Sequence, residues 1–308
     1  MRVCYFIQSH RDPEQIARLV RTLHTASPAA FVLVGHDARL CDLPRADLPD
    51  SPAIEVFYPP PPIERGHLSL LSPLWQAIDR LRERAIDYDW LVYLSGQDFP
   101  TLALARAEAM LAASPADGYL TWWNAFEPVN PWGRRRQGIL RYRYQYRRAP
   151  AWTAPLLRLL RGVNGLQSLV HVQLTYGANV GLRARRTPFD DGRICYAGSQ
   201  WSTLRRAAVE WLRERLRAER ELVAWYERTI CSDESLVQTI LVGSGRFRLV
   251  DDNLRYVDVR GSRDGRPRTL TAADFDEITS GRYHFARKFD RGVDARILDR
   301  LEAVALAT

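Results

Sequence analysis

Lysine is nearly absent from this sequence of 308 residues. Lys288 is the only lysine, and the other 43 of the 44 basic residues are arginine. Lysine offers a compact charge on a flexible stem and arginine a planar fork of five donors, so the two are not equivalent beside a phosphate. Lys288 lies in the segment 285–290 (FARKFD), where a flexible cation could close over a phosphate. Chance survival of one lysine explains this residue, taken alone, equally well.

Long apolar runs are also missing. No stretch reaches the roughly 18 apolar residues that a membrane-spanning helix needs. The N-terminal apolar run ends after Ile7 without a cleavage site, so it predicts a buried first strand rather than a signal peptide. The four cysteines include no Cys-x-x-Cys pair, which argues against a zinc site and a disulfide framework. We therefore expect a cytoplasmic protein, with peripheral association at the inner face of the membrane as a further option.

Motifs for dinucleotide, ATP and metal binding are absent or misplaced. The sequence lacks Gly-x-Gly-x-x-Gly and a Walker-type loop, which disfavours a dinucleotide site and an ATP loop. Asp87 and Asp89 form the Asp-x-Asp pattern by which nucleotide-sugar enzymes often hold a divalent metal, but they precede the predicted strand 90–94 and so lie at its amino end. Asp98 is the one carboxylate that follows that strand, and a single carboxylate provides too few oxygen ligands for a hard cation. We predict no metal and no cofactor.

Positive charge is abundant. The net charge of +8 suits an acidic partner, such as nucleic acid, an anionic membrane surface or a phosphorylated substrate. Arginine and tyrosine alternate within the segment 134–148. Such a segment could stack on single-stranded nucleic acid, bind an acceptor or lie on a membrane, and its sequence alone does not decide among them.

The first half of the chain alternates strand-like and helix-like segments. Short apolar runs predict strands at 3–7, 31–34, 54–58 and 90–94, and amphipathic segments predict helices from Pro13, over 73–85 and over 102–113. This order predicts an α/β fold with a mostly parallel central sheet flanked by helices. Ligands of such sheets bind beyond the carboxyl ends of the strands. Those ends carry Ser9, His10, Asp37, Arg39 and Asp98.

The second half is more elaborate. We predict an inserted loop over 118–150, a helical stretch over 202–229, strands over 247–250 and 256–259, a small helix from Ala272 and a last helix over 295–305. No internal repeat interrupts the chain. We therefore predict a single domain over 1–308, with a nucleotide-binding half (1–117) and an acceptor-binding and catalytic half (118–308).

Two short motifs in the second half suggest chemistry. Ser232 is predicted to cap a helix, and Glu234 near its start could serve as a base because a helix N-terminus stabilises a carboxylate. Ordinary capping by Ser-Asp-Glu explains the same residues, and spacing alone favours it. The turn 198–202 would let the backbone approach a ligand while Trp201 stacks on a sugar, although a helix cap with a core tryptophan is an equal alternative.

Taken together, six motifs in the same order resemble glycosyltransferase family 14, the core-2/I-branching β-1,6-N-acetylglucosaminyltransferases and their peptide O-xylosyltransferase relatives. The resemblance implies a GT-A-type fold, an inverting mechanism, a UDP-sugar donor and independence from divalent metal. The motifs are Gln8-Ser9-His10-Arg11, His36-Asp37, Leu94-Ser95-Gly96-Gln97-Asp98-Phe99-Pro100, Gly198-Ser199-Gln200-Trp201, Ser232-Asp233-Glu234-Ser235 and Phe285-Ala286-Arg287-Lys288-Phe289.

The resemblance also implies roles for residues. Glu234 corresponds to the catalytic base, and Lys288 and Arg255 correspond to the cations that hold the donor diphosphate. Two fixed cations could replace a metal in stabilising the charge that develops on UDP. The predicted donor-binding residues are Gln8, Ser9, His10, Asp37, Arg39, Arg255 and Lys288. The predicted acceptor- or sugar-binding residues are Asp98, Gly198, Ser199, Trp201, Asp233 and Arg141.

The sequence departs from the animal enzymes in ways that leave the substrates open. It lacks their membrane anchor, stem and disulfides, and its segment between Val250 and Leu254 is shorter, so we expect a bacterial member of the family. N-acetylglucosamine is the favoured donor sugar, with xylose, glucuronic acid and galactose as alternatives. The acceptor is expected to be a glycan or a small glycoside and not a nucleic acid. A basic nucleic-acid-binding protein is the alternative from another class.

Overall fold

The computed structural model describes residues 1–132, 135–260 and 266–307. Its strands are β1 (Val3–Ser9), β2 (Phe31–His36), β3 (Ile54–Phe57), β4 (Trp90–Ser95), β5 (Asp98–Pro100), β6 (Gly118–Leu120), β7 (Trp122–Asn124), β8 (Tyr144–Arg148), β9 (Val170–Gln173), β10 (Asn179–Arg183), β11 (Tyr196–Gly198), β12 (Thr203–Arg205), β13 (Leu249–Asp251), β14 (Arg255–Val257) and β15 (Phe285–Arg287). Its α-helices are α1 (Pro13–Ala26), α2 (Ser72–Glu83), α3 (Leu104–Ala113), α4 (Arg135–Tyr142), α5 (Ala154–Leu160), α6 (Arg206–Ala218), α7 (Arg220–Tyr226), α8 (Leu236–Leu241), α9 (Phe275–Ile278) and α10 (Ala295–Ala305).

A seven-stranded sheet forms the centre of the fold, in the order β13-β6-β12-β4-β1-β2-β3. The strand β12 runs antiparallel to both of its neighbours, and every other neighbouring pair in this sheet is parallel. Helices cover both faces of the sheet. The predicted α/β class, with a mostly parallel central sheet flanked by helices, is therefore confirmed.

Each face of this sheet packs its own set of helices, because successive side chains of a strand point to opposite faces. Tyr5 and Ile7 pack with α1, α3 and α10 on one face. Cys4 and Phe6, together with Tyr93, pack with α2, α6 and α8 on the other face. Burial on both sides explains why β1 and β4 are nearly continuous apolar runs rather than alternating ones.

The second half of the chain extends this sheet and adds three smaller ones. β6, β12 and β13 join the central sheet, so the predicted halves 1–117 and 118–308 share it. The smaller sheets are β8-β10-β9, β11-β7 and β14-β15-β5. In the last of these, β15 pairs antiparallel with β5, directly after the carboxyl end of β4. This pairing brings the segment with Lys288 to that end of the central sheet.

Two predictions for the second half are wrong. The segment 118–150 is not one long inserted loop but contains β6, β7, α4 and β8. The predicted helical stretch 202–229 begins with the strand β12, and α6 follows only from Arg206. Leu204 of this strand is buried and pairs with Leu91 of β4, a long-range contact that helical periodicity does not encode. Within the described ranges, no helix combines the length and apolar character needed to cross a bilayer.

Candidate active site

Four predicted donor-binding residues lie together at the carboxyl ends of β1 and β2. The backbone of Asp37 is tied to that of Ser9 by a hydrogen bond from its N–H to the Ser9 carbonyl, at 2.8 Å. The Asp37 carboxylate accepts from Nε of Arg39, at 2.8 Å, and this contact holds the Asp37 pKa below its usual value. His10 lies close to the same pair, and burial lowers its pKa. Gln8 is separate, because its amide donates to the Leu70 carbonyl at 3.1 Å.

His36 is held from both sides of its ring. Its Nδ1 is 2.9 Å from the Ser9 hydroxyl, and its Nε2 is 2.7 Å from the Cys41 carbonyl. Both ring nitrogens are therefore engaged inside the protein, as expected for a structural histidine. This network fixes the end of β1, where the donor-binding residues begin.

Lys288 lies beside the carboxyl ends of β1 and β4. The next residue, Phe289, exchanges hydrogen bonds with Gln97, from its N–H to the Gln97 carbonyl at 2.9 Å and from the Gln97 amide to its own carbonyl at 3.2 Å. Burial, followed by the charges of Arg11 and other neighbouring arginines, lowers the pKa of Lys288. Within the described ranges the Lys288 ammonium forms neither a salt bridge nor a hydrogen bond. A partly buried cation among other cations is poised to bind an anion.

Arg287 is a second cation at this position, for which no role was predicted from the sequence. Its guanidinium carbon lies 4.4 Å from the centre of the Trp201 ring, in a cation–π contact. Its Nε is 3.3 Å from Oδ1 of buried Asp98, which is an ion-pair distance without hydrogen-bond geometry. Because Ser95 also donates to the Asp98 carboxylate, from its hydroxyl at 2.5 Å, Asp98 serves as an anchor for Arg287. It does not project toward an acceptor as predicted.

The structure does not support the predicted contact of Arg255 with a diphosphate. This side chain is buried, and its guanidinium donates to the backbone carbonyls of Tyr93 at 2.8 Å, Ser202 at 3.2 Å and Asn253. Three carbonyls thus bind both terminal nitrogens of Arg255, and its remaining Nε is buried. Arg255 joins β4 to β12 beneath the site, whereas the Arg287 side chain makes no hydrogen bond within the described residues.

Glu234 lies beside Arg141, which in turn contacts the aromatic ring of Trp132. Its Oε2 is 2.5 Å from Nη1 of Arg141, whose guanidinium carbon lies 4.2 Å from the Trp132 ring centre. The Glu234 side chain is 36% exposed, and within the described part of the chain its Oε1 accepts no hydrogen bond. One carboxylate oxygen is therefore held and the other is open. Arg141, predicted to bind an acceptor, instead positions Glu234.

Asp233 differs from its neighbour in being almost completely buried. It is 6% exposed, and its Oδ1 has no hydrogen-bond partner. Burial, and then the negative charge of Glu234, raises the pKa of Asp233 to about 8. Asp233 therefore carries a proton at neutral pH, while Glu234 is partly exposed to solvent. Two adjacent carboxyl groups in such different surroundings are suited to different tasks. Because it is buried, Asp233 is not accessible to an acceptor as predicted.

The turn that carries both carboxyl groups is not a helix N-terminus, contrary to the prediction. Ser232–Glu234 form a 3-10 turn, and α8 begins only at Leu236. The Ser232 hydroxyl donates back to the Tyr226 carbonyl at 2.7 Å instead of capping a helix. Cys231 precedes the turn in the left-handed region, at φ 57°, a conformation that costs free energy in a non-glycine residue. The turn is therefore positioned by this backbone reversal and not by a helix dipole.

The predicted turn 198–202 connects the two parts of the site. The Gln238 amide of α8 donates to the Ser199 carbonyl at 2.6 Å. Trp201 contacts Tyr93, with ring centroids 4.8 Å apart and ring planes tilted by 58°, and the Arg287 guanidinium lies over its ring. Gly198 serves close packing, since a Cβ atom there would lie 1.8 Å from the Thr121 carbonyl oxygen. The Glu234 turn is thus linked to the cations through α8 and Trp201. Trp201 supports Arg287 and is not free to stack on a sugar with both faces.

The arginine- and tyrosine-rich segment does not form a stacking platform. Tyr142, Tyr144 and Tyr146 are buried, at 0–6% exposure, so their rings cannot stack on bases. Arg141 points to Glu234 and Arg143 pairs with Asp190 at 2.8 Å. Arg134, at the start of the segment, lies outside the described residues. The structure thus removes the observation on which the nucleic-acid alternative depended.

The Asp-x-Asp pair lies at the amino end of β4, as predicted. Asp89 accepts a hydrogen bond from the backbone N–H of Arg2 at 2.7 Å, and Asp87 pairs with Arg206 at 2.9 Å. Both carboxylates are therefore engaged on the edge of the sheet opposite Lys288. Among the described residues, no group of three or more histidine, cysteine, aspartate or glutamate side chains is arranged to hold a metal ion.

A family comparison covers the segment that contains the carboxyl groups. Residues 186–279 match the family model described as Branch: Core-2/I-Branching enzyme. Over this segment the match confirms the resemblance to the core-2/I-branching glycosyltransferases. The matched segment includes Glu234 and Arg255 and ends before Lys288. No curated protein sequence matches the chain.

Solved structures align with this chain over most of its length at low similarity. The galactosyltransferase LgtC, with donor and acceptor sugar analogues, aligns at a TM-score of 0.42 and 10% identity over 100% of this chain and 97% of its own. Mouse xyloside xylosyltransferase 1 in its apo form aligns at 0.35 and 8% over 93% and 97%. The 4-diphosphocytidyl-2C-methyl-D-erythritol synthase of Anaerococcus prevotii aligns at 0.38 and 10% over 91% and 95%. Scores this low carry no argument about function.

The buried carboxyl of Asp233 leads to a prediction about stability and pH. Its pKa rises from the ordinary 3.8 to about 8 on folding, so between those values the folded state holds a proton that the unfolded state has lost. The free energy of unfolding should therefore fall as pH rises from about 4 to about 8. Asp233→Asn should flatten this decline in melting temperatures measured across the range. Asp50→Asn, at a fully exposed carboxylate, is the control, and equal slopes in wild type and Asp233→Asn would contradict the assignment.

Proposed function

We propose that the chain is an inverting, metal-independent glycosyltransferase that transfers a sugar from a UDP-sugar to an acceptor hydroxyl. The observation that carries the proposal is the Lys288 ammonium, which bonds no residue in the described part of the chain and lies beside Arg287 at the carboxyl ends of β1 and β4. Glu234, with one open carboxylate oxygen, lies on the turn linked to these cations through Trp201. A cation pair and a base are what one direct displacement at a sugar carbon requires.

The cations stabilise the leaving group. When the bond between the sugar and the phosphate breaks, negative charge grows on the departing UDP, and a fixed cation is worth most where that charge develops. Lys288 supplies an ammonium on a flexible stem. Arg287 supplies guanidinium N–H groups that donate no hydrogen bond to any other described residue. We assign this second role to Arg287 in place of Arg255, because three backbone carbonyls occupy the Arg255 guanidinium.

Glu234 acts as the general base. Arg141 holds Oε2, so the open Oε1 can accept the proton of the acceptor hydroxyl as the new bond to the sugar forms. The neighbouring Asp233 is protonated at neutral pH, which keeps a second negative charge away from the same turn. A single displacement by the activated hydroxyl inverts the configuration at the sugar carbon.

Catalysis without a divalent metal is expected to leave full activity in EDTA. The carboxylate nearest the cations, Asp98, is committed to Ser95 and Arg287, so it has little capacity left for a hard cation that needs several oxygen ligands. Initial rates of sugar transfer would be measured with EDTA and then with added Mn²⁺. Loss of activity on chelation that Mn²⁺ restores would show that a metal takes part and would overturn this part of the proposal.

The donor sugar is proposed to be N-acetylglucosamine, from the resemblance to the branching enzymes. A panel of UDP-N-acetylglucosamine, UDP-xylose, UDP-glucuronic acid and UDP-galactose tests it through thermal shifts and slow hydrolysis of the donor. UDP-N-acetylglucosamine should stabilise the protein most and release UDP fastest. Preference for another member would change the sugar but keep the reaction, whereas no response to any UDP-sugar would overturn the proposed function.

A further inference from the structure

The positive charge of the chain is concentrated in one stretch. Residues 128–189 contain twelve arginines and neither aspartate nor glutamate. The rest of the chain carries 32 arginine and lysine residues against 36 acidic ones, a net charge of −4. The net charge of +8 therefore arises entirely from this stretch. It includes the sheet β8-β10-β9 and the helical segment 151–165 that precedes β9.

The helical segment exposes large apolar side chains. Trp152, Leu156 and Leu159 recur at helical spacing and are 80%, 56% and 82% exposed, respectively. Only Leu157 of α5 is buried, against Val172 and other apolar residues of the sheet. An isolated exposed leucine is ordinary, but a row of them on one face of a helical segment marks an interaction surface.

The apolar surface continues onto the sheet. Leu166, which follows the helical segment, is 85% exposed, and Leu182 of β10 is 60% exposed. Leu182 pairs with Val170 across the strands, on the face of the sheet where Val172 packs against Leu157 of α5. We call the surface formed by the five exposed side chains the Trp–Leu patch. Its members are Trp152, Leu156, Leu159, Leu166 and Leu182.

Exposed arginines occur in the same segments as the patch. Within the described residues none of them forms a salt bridge, unlike Arg148, which pairs with Glu64. Arg147 pairs with Val180 of β10, which places it on the face of the sheet that carries Leu182. The unpaired exposed arginines are Arg147, Arg158, Arg161, Arg183, Arg185 and Arg186.

We propose that the Trp–Leu patch docks the protein on an anionic lipid bilayer. Exposed tryptophan and leucine side chains can enter the boundary between headgroups and acyl chains, while arginines bind anionic headgroups. A second copy of the chain is a poorer occupant, because a symmetric contact would bring the unpaired arginines of both copies together. A neutral apolar partner would leave those charges without a counterpart. A membrane surface with anionic lipids matches both the exposed apolar side chains and the unpaired arginines.

Docking would orient the active site relative to the bilayer. The face of β8-β10-β9 opposite the patch carries Tyr144 and Tyr146, which pack against Ile230 and Cys231. These residues directly precede the turn with Glu234. The catalytic turn and the bilayer would thus lie on opposite faces of one sheet. The docking proposal itself does not depend on the reaction being glycosyl transfer.

The test is flotation with lipid vesicles at two compositions. The wild-type protein should float with vesicles of phosphatidylcholine and phosphatidylglycerol, bind pure phosphatidylcholine far less, and lose binding as salt rises. Arg158→Gln with Arg161→Gln should reduce partitioning by about thirty-fold, at roughly 1 kcal/mol for each arginine. Leu159→Ser with Leu166→Ser should reduce it by at least about tenfold, because two partly inserted leucines are lost.

Matched controls keep the result interpretable. Met110→Ser with Arg220→Gln removes one exposed apolar side chain and one exposed arginine outside the patch and should bind like wild type. All changes affect exposed side chains, and melting temperatures check that the variants fold. Wild-type binding by the arginine or leucine variants would overturn the proposal. Vesicle-independent self-association that Leu159→Ser with Leu166→Ser abolishes would also overturn it. Failure of the UDP-sugar panel would leave this test unaffected.

Discussion

Replacing Glu234 with glutamine is expected to lower turnover by about 10²-fold or more and to leave UDP-sugar binding nearly intact. The amide keeps the size of the side chain and can still bond Arg141, but it cannot accept the proton of the acceptor hydroxyl. The effect should therefore appear in kcat. Initial rates of transfer and donor affinities from thermal shifts measure the two quantities separately.

The control for this variant is the same change at a glutamate outside the site. Glu221→Gln, at an exposed position in α7, should keep wild-type rates. Arg141→Gln should produce an intermediate loss, because Glu234 remains but is no longer held at Oε2. Turnover of Glu234→Gln within a few-fold of wild type would remove this residue from the role of base, and the assignment of the catalytic site would have to change with it.

The parts of the fold that were predictable from sequence are those with long local patterns. The apolar runs of β1 and β4 are buried on both faces, so their composition alone identifies them, and the periodicity of α10 gives its bounds. The strand β12 was not predictable. It has three residues, directly precedes α6, and exists because Leu204 pairs with Leu91 of β4, a contact that depends on residues far away in the chain.

The site was predictable in position more than in detail. The rule that ligands bind beyond the carboxyl ends of parallel strands located Ser9, Asp37 and Asp98 correctly relative to the central sheet. It did not locate Lys288, which the pairing of β15 with β5 brings to the same end. Sequence could not distinguish Arg255 from Arg287, because both are arginines in short strands that pair with each other. The structure distinguishes the two residues, because the Arg255 guanidinium is buried and donates to three backbone carbonyls. The one sequence feature that could have indicated a role for Arg287 is its position next to the only lysine.

The capping prediction failed for a related reason. Ser-Asp-Glu before an apolar run is good helix-start chemistry, yet Cys231 adopts a left-handed conformation and Ser232 bonds backward to Tyr226. Neither feature leaves a mark in residue spacing. Glu234 therefore remains the candidate base. Its carboxylate is held by Arg141 and does not lie at a helix N-terminus.

Replacing Lys288 with alanine is expected to cost roughly 3–4 kcal/mol of transition-state stabilisation, on the scale of one lost oxyanion-hole donor. Charge on UDP grows toward the transition state, so kcat should fall more than donor binding weakens. Lys288→Arg should recover only part of the loss, because a planar fork cannot occupy the same point as an ammonium. Both variants would be compared with wild type by initial rates at saturating donor.

Arg255 provides the contrast that makes the Lys288 result specific. Arg255→Met should lower the free energy of unfolding, because it removes the buried hydrogen bonds from the guanidinium to the carbonyls of Tyr93, Ser202 and Asn253. Lys288→Ala should leave stability nearly unchanged, because the ammonium bonds no described residue. If Lys288→Arg restored full activity, a lysine would not be required and any cation at that point would suffice. If Lys288→Ala lost stability rather than turnover, the ammonium would be structural, and the charge on the leaving UDP would have to be stabilised by Arg287 alone.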